Sequence, residues 1–225
     1  MTMTMRKILI ILAVTVFSFG LTNLSYATLV SSDLFSSGDN LLTCDTESNL
    51  EWLDLTETLN ISYDDIIVSS WYTQHGFVHG TSQQVKELIE HAGGLIGGNA
   101  AANYGPAVDL IYLLGATWYR DYGTSETWNS NGVLADLYPG TDPTWFGYRR
   151  AARIVRTDVA PTSGTSWGDF LLRTGEDPYG LWQEPDKGLL TAGHFIYRVI
   201  PEPASLLLLG SGLLGLWGFK RKKRV

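Results

Sequence analysis

The chain has 225 residues, 24 Gly, a single Cys and 44% apolar residues. That length sets one domain or two small ones, and the composition excludes collagenous, disordered and disulfide-rich classes. One Cys also excludes an intrachain disulfide and any multi-Cys zinc site. Sixteen Lys+Arg stand against 23 Asp+Glu, and seven of the basic residues lie at the two ends. Between Thr28 and Val199, nine basic residues face 22 acidic ones, a net of −13. A body so acidic is unsuited to nucleic acid or to an anionic membrane surface.

Residues 1–27 read as a secretory signal peptide. Arg6 and Lys7 form the positive region, Ile8 to Leu21 carry no charge, and Ser25-Tyr26-Ala27 supplies the small residues before cleavage. Fourteen apolar residues rise about 21 Å as a helix, short of a ~30 Å hydrocarbon core, which favours a cleaved signal over a retained anchor. Thr28 is then the expected first residue of the mature body, residues 28–199.

The body opens with Leu41 to Cys44, a turn over Asp45 to Asn49, and Leu50 to Leu53, which reads as strand, turn, strand. Asn tolerates positive φ and Asp caps its own backbone, so both suit the turn. Ser62-Tyr63-Asp64-Asp65 has capping-box spacing and opens a short helix. A longer helix is predicted from about Ser82 to Ala92, capped by Thr81 or Ser82. Its apolar face is Val85, Leu88, Ile89 and Ala92, and Gly93-Gly94 ends it. Pro106 starts a third helix through Leu114, closed by Gly115. Beyond it the helical period fades. Trp128 to Val133, with Asn131-Gly132 inside, reads as a hairpin turn. Ser166 to Thr174 and Gly193 to Val199 read as strands.

The last 26 residues, 200–225, have their own order. Pro201-Glu202-Pro203 is followed by Ala204 to Phe219, sixteen residues without a charge, and then by Lys220, Arg221, Lys222, Lys223 and Arg224. An apolar stretch closed by cations is a stop-transfer arrangement, because the cations resist passage through the bilayer. A single C-terminal transmembrane helix is therefore expected at 204–219. The two prolines keep the preceding stretch extended, a form a protease-like site can grip.

Two resemblances follow from these residues. Residues 200–225 resemble the PEP-CTERM sorting signal of Gram-negative bacteria. That resemblance implies an exosortase as processing partner and removal of the anchor from an inner-membrane intermediate. It also implies a final place at the cell surface or in an exopolymer matrix. The body resembles the C-type-lectin-like modules of bacterial surface proteins. In those, a strand near a Gly-Leu-x-Trp-like motif, here Asn49-Leu50-Glu51-Trp52, pairs with the last strand, here His194 to Val199. The implied class is α+β, a loop-rich mixed domain, with a β-sandwich-like arrangement as the alternative.

Chemistry is sparsely signalled. His75 and His79 have ligand spacing, but Gly76 and Gly80 oppose a helix, so lone surface or loop histidines are the expectation. Asp45, Glu47, Asn49 and Glu51 alternate as a solvated strand face does, without the loop that calcium needs. Cys44 has no catalytic motif around it and reads as packing. No metal, cofactor or catalytic residue is expected. Trp128 and Trp145 fall in the loop-rich half, where exposed Trp could stack on sugar rings. The expected role is a non-enzymatic surface or matrix protein that binds exopolysaccharide. The alternative is a secreted polysaccharide hydrolase using a carboxylate pair.

Overall fold

The computed structural model describes residues 29–98, 100–137, 149–160, 164–172 and 191–200. The first sheet begins at Leu29–Ser32 (β1), followed by Leu42–Asp45 (β2) and Leu50–Leu53 (β3). The β2–β3 turn is the expected one: Asn49 takes φ +57°, and Asp45 accepts hydrogen bonds from the backbone of Glu47 and Ser48. A 3-10 turn (Leu55–Thr58) and two one-turn helices, α1 (Tyr63–Ile66) and α2 (Ser70–Thr73), lead to the short strand β4 (Val78–His79). Ser62 caps α1 by accepting from the Asp65 amide.

Two longer helices follow, α3 (Ser82–His91) and α4 (Tyr104–Leu114). α3 begins with a full capping box, in which Thr81 accepts from the Gln84 amide and Gln84 accepts from the Thr81 amide. Its Val85, Leu88 and Ile89 are buried, as their spacing requires. α4 starts two residues before Pro106 and ends at Gly115, whose φ is +78°.

The second sheet comprises β5 (Trp118–Asp121), β6 (Ser125–Leu137), β7 (Arg149–Val159) and β8 (Trp167–Leu172). After it come β9 (Gly193–His194) and β10 (Ile196–Val199). Among the described residues the first sheet has the order β1-β2-β3-β10-β4 and the second β5-β6-β7-β8, with β9 added to β6. Pairing is antiparallel apart from the two-residue β6–β9 contact.

This corrects the α+β, loop-rich expectation: two antiparallel sheets dominate, and the helices are few. The misjudged segment is Trp128 to Val133, which is the middle of a thirteen-residue strand and not a hairpin turn. Gly132 is there for space. A Cβ would lie 2.5 Å from the Phe195 ring and 2.9 Å from Leu55. Asn131 is there for its amide, which donates to Thr191 O and accepts from Arg153 Nε. Turn-type residues in a strand mark a close approach of other chain segments. The β10–β3 pairing that the lectin resemblance implied is present, with Tyr197 opposite Trp52; the resemblance as a whole gains no other support. Among the described residues no helix is long and apolar enough to cross a membrane. The expected transmembrane helix at 204–219 lies outside them.

The main core lies between the sheets. Trp52 and Phe195, the apolar faces of α3 and α4, and Leu134, Ile154 and Phe170 of the second sheet form one cluster. A smaller cluster on the other face of the first sheet joins Leu42, Leu53, Phe77 and Ile196. This inside–outside alternation assigns each sheet residue to one face. It also decides which side of the second sheet stays open.

Candidate functional site

Strand register sorts the second sheet into two faces. Tyr119, Trp128, Ile154, Arg156, Gly168 and Phe170 face the helices; a Cβ on Gly168 would meet the Asn103 carbonyl of α4 at 2.5 Å. The opposite face forms a trough of about 990 Å³. Cross-strand rows build it: Trp118, Asn129, Val155 and Asp169 in one, and Thr127, Thr157 and Trp167 in the next. Tyr122 flanks it, 54% exposed, and Trp167 is 37% exposed. Thr127 and Thr157 share a hydrogen bond of 3.1 Å, and Arg153 Nε donates to Asn131 Oδ1 at 3.1 Å.

The floor of the trough holds a polar group in need of a partner. Asn129 is only 3% exposed, yet among the described residues its Oδ1 accepts no hydrogen bond. A buried acceptor left unsatisfied costs about 1–3 kcal/mol, so such groups in native proteins are commonly met by water or ligand.

Trp128, one of the two expected stacking residues, is on the other face. It is half-buried against the core, packed on Tyr119 at 4.2 Å between ring centroids and under the Arg156 guanidinium at 5.3 Å. Trp145 lies outside the described residues, as do Pro201, Glu202, Pro203 and Lys220 to Arg224. The aromatic residues open to the trough are Trp118, Tyr122 and Trp167. Period-two alternation would have separated Trp118 from Tyr119 and Thr127 from Trp128, had 128–133 been read as strand.

The acidic alternation of 45–51 is solvated only at Glu47 and Asn49, which corrects the expected solvated face for Asp45 and Glu51. Asp45 is buried, and its Oδ2 accepts from both His91 Nδ1 at 2.7 Å and Ser48 Oγ at 2.6 Å. Glu51 is nearly buried and paired with Arg198 Nε at 2.7 Å. Burial pushes the Cys44 thiol up, helped by Glu51, whose Oε1 is 3.7 Å from Sγ. A thiol raised in this way is a poor nucleophile.

The histidines are not isolated either. His79 on β4 and His194 on β9 are both buried and joined, Nε2 to Nδ1, at 2.8 Å. His194 Nε2 lies 2.9 Å from the Ile61 carbonyl, which can only accept, so the proton is on Nε2 and Nδ1 accepts from His79. His79 Nδ1 then accepts from the Tyr72 hydroxyl. Tyr63 stacks on the His79 ring at 4.4 Å. Desolvation pushes His194 down to about 4, against an opposing pull from the Ile61 carbonyl. Among the described residues no group of three His, Cys, Asp or Glu side chains is placed to hold a metal ion. A His flanked by Gly193 and Phe195 in an apolar strand was the available sign of a buried, hydrogen-bonded ring.

Compared with known proteins, residues 199–222 match the family model described as the PEP-CTERM protein-sorting motif. No curated protein and no solved structure matches the chain. The match begins on the last residue of β10, so the signal follows the folded body without a spacer. The chain thus ends in a PEP-CTERM protein-sorting motif, the mark of an exosortase substrate.

Proposed function

We propose that this is an exported protein, membrane-anchored through its C-terminus and released by exosortase to the cell surface or matrix. There its body binds exopolysaccharide in the trough of the second sheet. The sorting half of this reading rests on the motif at 199–222 and on the cationic cluster Lys220 to Arg224 that overlaps its end. Deleting residues 200–225 is expected to leave the body unprocessed and absent from its final location. Fractionation of cells carrying that deletion, beside intact chain, measures this, and an unchanged distribution would sink the sorting role.

The binding half is carried by one observation: Trp118, Tyr122 and Trp167 line one trough on the uncovered face of the second sheet together with Thr127, Asn129 and Thr157. Aromatic faces stack on the apolar faces of sugar rings, and a fixed acceptor takes a ring hydroxyl. Electrostatics permit it. Strands β5 to β8 carry five Arg and five acidic residues, so the sheet bearing the trough is neutral within a body of net −13. The hydrolase alternative needs two facing carboxylates, and the described lining holds one, Asp169.

Stacking and neutral hydrogen bonds are little screened, so retention on purified exopolymer is expected to survive ~0.5 M salt. Trp167→Ala and Asn129→Ala should each weaken retention about tenfold or more, the scale of ~1.4 kcal/mol. Trp128→Ala, on the far face, should lower stability while leaving the affinity of the folded fraction intact. Retention that vanished with salt, or ignored Trp167→Ala and Asn129→Ala, would remove the trough from consideration.

A further inference from the structure

The strand register of the first sheet places both ends of the body side by side. Leu29 is opposite Asp45, Asp45 opposite Leu50, and Leu50 opposite Val199. Four residues therefore form one row across β1, β2, β3 and β10. The chain enters the body on this row, because β1 starts there, and leaves on it, because β10 ends there. Three inter-strand spacings of ~4.8 Å put the two ends about 14 Å apart. Ile200 extends the row, with its amide donating to the Asn49 carbonyl at 3.0 Å.

The tether beyond the row is short. Only residues 200–203 separate Val199 from the apolar run at Ala204, a reach of about 17 Å fully extended. On the other side, the apolar run of the leader ends at Leu21, within about 28 Å of Leu29. A body held by either end, or by both, is held from the same edge.

We propose that this edge, with Leu29, the 46–49 turn and Val199, is the membrane-proximal face of the anchored body, so that the protein stands on the end of its first sheet. The partner is the outer surface of the bilayer, faced and not inserted. Glu47 is exposed on the turn and disfavours burial in lipid. The loop 33–41 closes the opposite end of β1 and β2 and points away from the membrane. The same geometry lets the body complete its first sheet while the leader and the anchor are both still in the bilayer.

This rests on the C-terminal anchoring proposed above, and its test separates the two. The full chain carrying Cys44→Ser receives a single fluorescent probe at Glu47→Cys, in the turn beside the row, or at Ser37→Cys, in the far loop. Both positions are exposed. Each chain is reconstituted into phosphatidylcholine vesicles containing a lipid with a nitroxide on its headgroup, and flotation reports association. The expected result is co-flotation of both, with the probe at 47 quenched several-fold more strongly than the probe at 37. Co-flotation with equal or reversed quenching overturns the orientation and leaves the anchoring intact. Failure to float overturns the anchoring, and the orientation with it.

Discussion

Between pH 6.5 and 4 the body is expected to lose about 3 kcal/mol of stability through His194 alone. Its ordinary value of 6.5 applies in the unfolded chain, and burial holds it at about 4 in the folded one. The unfolded chain thus binds a proton that the folded chain refuses, so stability is full above pH 6.5 and falls as pH drops toward 4. Two and a half units at ~1.4 kcal/mol per unit give the magnitude. The ring cannot easily accommodate a charge. Its Nδ1 faces His79, its Nε2 already serves Ile61 O, and no carboxylate is among the pair's contacts with Tyr72 and Tyr63. Asp39 titrates in a lower window. Slight desolvation pushes its carboxyl up, but the amides of Leu34, Ser36, Phe35 and Leu41 outweigh it and bring it to about 2. Its contribution is lost only below 3.8. Urea midpoints from pH 8 to 4, for the native body and for His194→Gln, measure the effect. A native midpoint as flat across this range as that of the variant would contradict the buried neutral ring.

Gly193→Ala is expected to cost about 3 kcal/mol or more, enough to unfold a marginal domain. A Cβ there would lie 1.9 Å from the Leu55 carbonyl oxygen and 2.8 Å from Thr58 Oγ1, both in the 3-10 turn after β3. Backbone cannot swing aside as a flexible side chain does. The turn must move, and with it the bond from the His194 amide to Thr58 Oγ1 at 2.7 Å. Gly123 provides the contrast: its φ is +79° but nothing lies within 4 Å, so alanine there costs about 1–2 kcal/mol from the dihedral alone. Thermal unfolding of the two variants separates contact from conformation. Equal losses would show that β9 can be lifted off the 3-10 turn without penalty.

Local chemistry was legible where a few neighbouring residues decide the outcome. Thr81 and Gln84 write the start of α3, Asn49 closes the β2–β3 turn, and Gly115 ends α4. The trough was legible only in part. Aromatic residues in the second half point to a stacking surface, but Asn131-Gly132 carries the signature of a turn and so hides the strand parity that gives each of them a side. A one-residue parity error in a strand exchanges its faces. The observed register puts Trp128 on the covered face and Trp118, Asn129 and Trp167 on the open one. The pairs Asp45–His91, Glu51–Arg198 and His79–His194 join residues 46, 147 and 115 positions apart, beyond any local pattern.

The amino-acid order by itself carries the sorting motif at 199–222. A Pro-Glu-Pro, apolar, basic sequence is read linearly and needs no fold. The acidic excess of the body and its lack of disulfides are likewise sums over composition. Only the tertiary structure decided what the body presents. Which face of the second sheet α4 covers, which Asn is left with an unmet acceptor, and which edge carries both chain ends depend on pairings between distant strands. Those pairings are set by burying Trp52, Phe170 and Phe195 in one core, a free-energy minimum over the whole chain.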